Sequence, residues 1–457
     1  KFTMLSCTIQ KEKVPLCVFG KQKEEKFMKK FLALLLAMVM MLGLVACGGT
    51  NSNAGNTGNN SQQTDNTGNT GDEGGDSTDS PDIKIGVILI HDENSGYDVA
   101  HIDGITQARE NLGIDMANVS FKYNIAEDSN CYDAAADLAD SGCDIIFSDS
   151  YGHQAFMLQA AQDFPDITFV ACTGDQAGVA GQDNLKNIFP YTYESRYVSG
   201  VVAGMKLKEL LDSGAITEPK VGYVGAYPYA EVVSGYTAFF LGIQSIVPEA
   251  TMEVQYTNSW YDQAKEAETA NALMANGCVI IGQHADSTGA PSAVQAEHDK
   301  GKEVYSVGYN IDMLSVAPDA ALTSSQNVWY VLYQDILEKF LAGEEIPSDF
   351  ACGYAEGAQT ISPLGPACAE GTQEAVDAAW AGLKDGTLNI FDTSKFTVDG
   401  KTIDSYEVNF SIIDFTTGDV VFEGPTVDVI ENGVFQESVH RAAPYFDLRI
   451  DGITELN

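Results

Sequence analysis

Seven short segments bring aromatic, amide and carboxylate side chains together: Asn94-Ser95-Gly96-Tyr97-Asp98, Asp149-Ser150-Tyr151-Gly152, Thr173-Gly174-Asp175, Tyr227-Pro228-Tyr229, Asn258-Ser259-Trp260-Tyr261-Asp262, His284-Ala285-Asp286-Ser287 and Tyr309-Asn310-Ile311-Asp312. Such side chains suit recognition: a ring stacks on a flat ligand while amides and carboxylates bond its polar edge. Tyr97 and Trp260 each stand at a helix entrance. Two such rings facing across a cleft could sandwich a flat ligand, with stacking contributing roughly 1–3 kcal/mol per ring system. The same residues suit plainer roles, since a junction aromatic also packs and Asp262, Asp286 and Asp312 also suit helix caps. Nothing nominates catalysis. The chain has no GxGxxG after a strand, no Gly-rich loop ending in Lys-Ser/Thr, no His-Glu-x-x-His and no Gly-x-Ser-x-Gly. Its six histidines lack ligand spacing, so neither cofactor nor metal is expected.

What positions these segments is a strand-then-helix rhythm. Lys84–Ile90 reads as a buried strand and Tyr97–Leu112 as an amphipathic helix. The unit recurs at 121–125 with 131–138, at 144–147 with 153–161, and at 167–171. After a long helix, Glu194–Leu211, the rhythm restarts with strands at 220–224, 251–256, 278–281 and 303–307 and helices near 232–246, 261–275 and 289–300. Alternation of this kind builds two doubly wound parallel sheets, and each cluster falls beyond a strand's carboxyl end, where open α/β sheets bind ligands. Lobe one is expected over 82–210 plus about 320–345, and lobe two over 211–319 plus about 346–388. A β-rich tail, 389–457, is expected to pack on one lobe, with Asn432-Gly433 marking a tight hairpin.

The amino end specifies location. A basic stub and the apolar run Phe31–Leu42 lead into Leu44-Val45-Ala46-Cys47, the three parts of a lipoprotein signal peptide over residues 28–46. Residues 1–27 read as an upstream extension. Cleavage before Cys47 and its diacylation would anchor the chain to the membrane outside the cytoplasm, with residues 48–81, rich in Asn, Gly, Thr and Ser, as a tether. The whole chain carries a net charge of −40, which becomes about −45 without its first 46 residues. So acidic a protein is a poor partner for nucleic acid and disfavours phosphorylated ligands. Cys172 and Cys278 sit in apolar runs as buried thiols, while Cys352 and Cys368 bracket a Gly/Pro-rich loop and are the best disulfide candidates.

From Ile83 to about Gly343 the chain resembles the basic membrane protein family of lipoprotein substrate-binding proteins for ABC transporters. The resemblance rests on Asn94-Ser95-Gly96-Tyr97-Asp98-Val99-Ala100-His101, on Phe189–Gly204 with Val201-Val202-Ala203-Gly204, on Gly235–Gly242, on Trp260-Tyr261-Asp262-Gln263-Ala264-Lys265-Glu266, on Gln283-His284-Ala285-Asp286-Ser287 and on Tyr309-Asn310-Ile311-Asp312-Met313. It implies a type I periplasmic-binding-protein fold, two lobes joined by three crossovers, placed here near Leu207–Lys220, Gly308–Met313 and Ile346–Gly353. It also implies a purine nucleoside or base as ligand, a permease and an ATPase as partners, and no reaction in this chain, which is expected as a monomer. Tyr97 falls where the family has a stacking Trp or Phe, and Trp260 on its second stacking aromatic. Asp312 matches the acidic residue entering the pocket, and Asp286 lies near the cleft by the same match. Asn94 stands where Asp is usual and Asp98 where Asn or Ser is common, which leaves the choice of base or nucleoside open. With Tyr151 these are the expected ligand contacts. A sugar-binding protein is the rival reading, and a surface nucleoside hydrolase or sensor component the second.

Overall fold

A computed structural model describes residues 81–413 and 419–457, all within one unit, Ser77–Asn457. The proposed signal peptide, Cys47 and the tether up to residue 80 lie outside the described residues. All four residues of β1 (Ile85–Ile88) are buried, as in a strand sandwiched between two helix layers. It pairs in parallel with β2 (Val119–Lys122) and β3 (Ile145–Ser148). The sheet continues through β4 (Thr168–Cys172) and β5 (Leu185–Pro190) to β11 (Asp349–Cys352), in the order β11-β5-β4-β3-β1-β2. A second sheet holds β6 (Lys220–Gly225), β7 (Thr251–Tyr256), β8 (Ile280–Gln283), β9 (Tyr305–Tyr309), β10 (Ala321–Asn327), β12 (Gln359–Ile361) and β19 (Ile453–Glu455), in the order β12-β10-β9-β8-β6-β7-β19. Only β12 runs antiparallel to its neighbour. Both sheets are doubly wound, with helices such as Gly96–Asn111 and Ala230–Gln244 between strands.

Several boundaries differ from those expected. Helix Thr192–Asp212, placed by sequence at the end of lobe one, belongs to the second: Val198, Val201 and Val202 share a core with Val221, Phe239 and Met252. Two glycines explain this, because a Cβ on Gly200 would overlap the Phe239 carbonyl and one on Gly242 the Tyr197 carbonyl. The helices Thr192–Asp212 and Ala230–Gln244 therefore touch backbone to backbone. Residues 320–345, assigned to lobe one, are divided. β10 joins the second sheet, while helix Trp329–Ala342 packs on helix Gly96–Asn111 of the first. Residues 346–388, assigned to lobe two, are divided as well, with β11 in the first sheet and β12 in the second.

The chain thus passes between sheets at Pro190–Thr192, Asn327–Trp329 and Cys352–Gln359, not near 207–220 or 308–313; the expected third segment, 346–353, reaches only the start of its crossover. A buried polar braid ties the three together. Thr192 Oγ1 and Gln359 Nε2 both donate to Asn327 Oδ1 (3.2 and 2.7 Å), Ser195 Oγ donates to Gln359 Oε1 (2.6 Å), and backbone bonds link Val328 N to Ala358 O and Tyr191 N to Cys352 O. Cys352 and Cys368 do not form a disulfide. All six cysteines among the described residues are thiols; Cys352 ends β11 in the first sheet, and Cys368 donates to Leu322 O on the second.

The C-terminal residues form three small two-stranded antiparallel sheets: β13 (Glu407–Asn409) with β16 (Thr426–Asp428), β14 (Ile412–Ile413) with β15 (Val420–Phe422), and β17 (Ile430–Glu431) with β18 (Val434–Phe435). The last turns at Asn432-Gly433, both at positive φ. Phe391, Phe435 and Phe446 sink into the second lobe's core, while Ala442 and Ala443 pack on Phe189 of the first. The tail touches both lobes.

Candidate functional site

The carboxyl ends of both sheets face one cavity. Ile90, Tyr97, Ser150, Tyr151 and Thr173 line it from the first lobe, and Glu231, Trp260, His284, Asp286 and Tyr309 from the second. The lobes stand closed: Tyr151 and Tyr229 face one another across the cleft at 6.0 Å between centroids, as do His91 and Tyr261 at 5.4 Å.

Each aromatic wall is braced from behind. Tyr97 opens a helix capped by Ser95, its hydroxyl donating to Asp149 O at 2.5 Å and its ring standing edge-on to His101 at 4.6 Å. The Tyr151 hydroxyl donates to Asp175 Oδ2 at 3.1 Å. Trp260 meets Tyr227 edge-on at 5.0 Å, and Tyr227 is stacked on Tyr229. Stiff mountings of this kind keep the faces ready for a ligand.

The polar groups are mostly acidic. Asp286 accepts from Asn310 Nδ2 at 2.9 Å, and burial together with the Glu266, Asp98 and Glu231 charges holds its carboxyl well above the usual range. Glu266, just behind it, accepts from the Asp262 and Ser287 amides, and burial raises it to about 7. Glu231 lies 3.2 Å from His284 Nε2. Burial, reinforced by Arg196, depresses His284 to about 4, so the imidazole is neutral at pH 7. Arg196 itself is buried; its Nη1 donates to Gln283 O at 2.5 Å and its guanidinium lies 3.6 Å over the Tyr309 ring. Tyr309 thereby separates the arginine from the cavity. The arrangement favours a ligand with aromatic faces and hydrogen-bond donors, and disfavours one carrying phosphate.

Of the expected contacts, Tyr97, Tyr151, Trp260 and Asp286 converge on the cavity, and Asn94, Asp98 and Asp312 do not line it. Asn94 precedes the helix and turns outward, donating to Asp92. Asp312 caps the turn Met313–Ser315 through Leu314 N and borders a separate groove beside Asn327 and Trp329. Asp98 is buried behind the wall, accepting from His91 N at 2.7 Å. There it forms a pair with Asp149. Burial opposes both charges, but His91 and Ser95 hold Asp98 low, while burial and the Asp98 charge drive Asp149 well up, so Asp149 carries the proton. Glu231, His284, Tyr309 and Arg196 were missed as site residues. His284 and Tyr309 lie in clusters already noted, and Arg196, which lies behind Tyr309, is one of only four arginines in the chain.

The family description "ABC transporter substrate-binding protein PnrA-like" matches residues 87–354, more than half of the chain. The protein belongs to this PnrA-like family. Its relatives include a purine-binding protein of Brucella abortus, 32% identical over 310 residues, which are 68% of this chain and 83% of that one. Another, from Haloferax volcanii, is named as a candidate glucose-binding protein of an ABC transporter and is 32% identical over 56% of this chain and 61% of its own length. Among solved structures, a solute-binding protein of an ABC transporter from Aeropyrum pernix superposes with a TM-score of 0.58 at 15% identity, covering 70% of this chain and 94% of that one. One from Conexibacter woesei gives 0.52 at 22%, covering 67% and 97%. The PnrA-like chain is therefore a solute-binding protein of an ABC transporter, with the two-lobed fold of periplasmic binding proteins. Among the described residues no helix is long and apolar enough to cross a membrane, and no group of His, Cys, Asp or Glu is placed to hold a metal ion.

Proposed function

We propose that this chain captures a purine nucleoside or nucleobase between its lobes and delivers it to an ABC permease, catalysing no reaction itself. One observation carries this: rings from both lobes, Tyr97, Tyr151 and Trp260, surround a cavity whose lining includes Asp286, Glu231 and a neutral His284. A purine offers two flat faces to the rings, and its exocyclic amine or ribose hydroxyls offer donors to the carboxyl groups. The similarity to a purine-binding relative supports the same ligand class. Lipidation at Cys47 would hold the monomer at the outer face of the membrane beside the permease and its ATPase.

A sugar is the second reading, supported by the relative named for glucose, because an aromatic face beside carboxylates also suits a pyranose. Mass spectrometry of small molecules released by denaturing freshly purified protein, followed by thermal shift with each candidate, separates the two. A recovered purine that raises Tm supports the first reading and discriminates base from nucleoside. Stabilisation by a hexose, with none by adenine, adenosine or guanosine, overturns it.

A further inference from the structure

The segment after the family match supplies a side chain that reaches the ligand cavity indirectly. Arg441 is held by its own loop: Nε donates to Ala443 O at 3.3 Å and Nη2 to Pro444 O at 3.1 Å, and its guanidinium lies 5.5 Å from the Phe410 ring. Its remaining arm, Nη1, crosses to the first lobe and meets Asp175 Oδ2 at 3.3 Å, the oxygen that accepts from Tyr151. One residue on, Ala442 N donates to Asp349 Oδ2 at 2.7 Å, and Asn187 holds the other oxygen of that carboxylate. The far side of the tail is rooted in lobe two. Phe446 stacks on Phe391 at 4.5 Å within the second core, the buried Glu437 accepts from the Tyr445 and Phe446 amides, and β19 extends the second sheet.

We propose that Arg441 is a positioning residue for the ligand cavity: through Asp175 it fixes the Tyr151 hydroxyl, and with the Ala442–Asp349 bond it straps lobe one to a tail carried by lobe two. A bidentate-capable cation held on two backbone carbonyls has little freedom left, so it sets the Asp175 carboxylate in one place. Asp175 in turn selects one orientation of the phenol that forms part of the cavity wall. Opening the cleft separates the lobes and breaks the strap, so the strap slows ligand escape more than ligand entry.

The ligand half of the test rests on the purine reading, and the other half does not. In the ligand-free protein, hydrogen exchange at residues 149–154 and 173–177 should quicken in Arg441→Ala and in Asp175→Asn, with Arg441→Lys intermediate and Tm little changed. With adenosine as probe, Arg441→Ala should speed dissociation about tenfold while leaving association nearly unchanged. In a Tyr151→Phe background the same substitution should have a smaller effect, because the hydroxyl is gone and only the link between the lobes is left to lose. Unchanged exchange in both segments, or an Arg441→Ala effect on dissociation that is fully additive with Tyr151→Phe, overturns the inference. Failure of the wild-type protein to bind any purine overturns the purine reading instead, and the exchange experiment then decides the strap by itself.

Discussion

At the scale of single residues, the cavity between the lobes is lined by carboxyl groups whose ionisation the fold controls. Asp286 is buried, bonded by Asn310 and surrounded by other acids, and it is protonated more readily than an ordinary aspartate. A proton on that carboxyl gives the cavity a donor as well as acceptors. Asp286→Ala should weaken purine binding by about 1–3 kcal/mol, read by isothermal titration, because it removes both the donor and the acceptor and leaves their partners on the ligand unmatched. Trp260→Ala removes a stacking face and should cost about 1–3 kcal/mol, with Tyr227 and Tyr229 left to repack; an unchanged Kd would show that Trp260 only supports those tyrosines. Sequence could nominate Tyr97, Tyr151, Trp260 and Asp286 because each sits beyond a strand's carboxyl end, a position set by topology. It could not separate them from Asn94, Asp98 and Asp312, because one rotation at a helix start decides whether a side chain enters the cavity or caps the turn. Glu231 was obscured for another reason: in so acidic a chain a lone carboxylate carries no signal until its partner, here His284, is in view.

The elements that matter most are the crossovers. Asn327 accepts from two of them and donates to the Tyr309 hydroxyl at 3.5 Å, so the cavity wall and the pivot share one side chain. Asn327→Ala leaves the donors of Thr192 and Gln359 without their buried acceptor. It should cost about 1–3 kcal/mol in urea unfolding and weaken ligand binding beyond what the loss of stability explains. A loss of stability with unchanged affinity would restrict Asn327 to a structural role. The strands and helices were legible at this scale, since β-branched runs alternating with amphipathic stretches permit few other folds. The lobe boundaries were not. A helix such as Thr192–Asp212 follows a first-lobe strand in sequence, and only the close approach that Gly200 and Gly242 permit shows which lobe carries it. β5, β11, β12 and helix Thr372–Asp385 escaped notice because short strands beside Pro and Gly, and a helix outside the strand-helix rhythm, lack a distinctive period.

Across the whole molecule, buried acids and buried imidazoles set opposing pH limits. Burial raises Glu194, Glu266 and Glu437 to about 7, so the folded state holds these protons more tightly than the unfolded chain. The stability they contribute is complete below the ordinary glutamate value and is lost as pH rises through about 7. Burial depresses His101 to about 3 and His284 to about 4, with the opposite sign: their contribution is complete above the ordinary histidine value and is lost as pH falls. Tm should therefore fall between pH ~6 and ~8, where the glutamates lose their protons and the histidines no longer gain, and Glu437→Gln should flatten that fall. A Tm still rising from pH 6 to 8 would show that other groups dominate. The placement of β11 bears on how the chain is made. The strand that completes the first sheet pairs with β5, where Asn187 and Asp349 stand 162 residues apart in sequence, and five of the seven strands of the second sheet are spelled out between them. The emerging polypeptide cannot finish one half before starting the other, as a string of independent modules would. The open edge of β5 must wait for its neighbour, and until then it is a place where a stalled or crowded chain can pair wrongly.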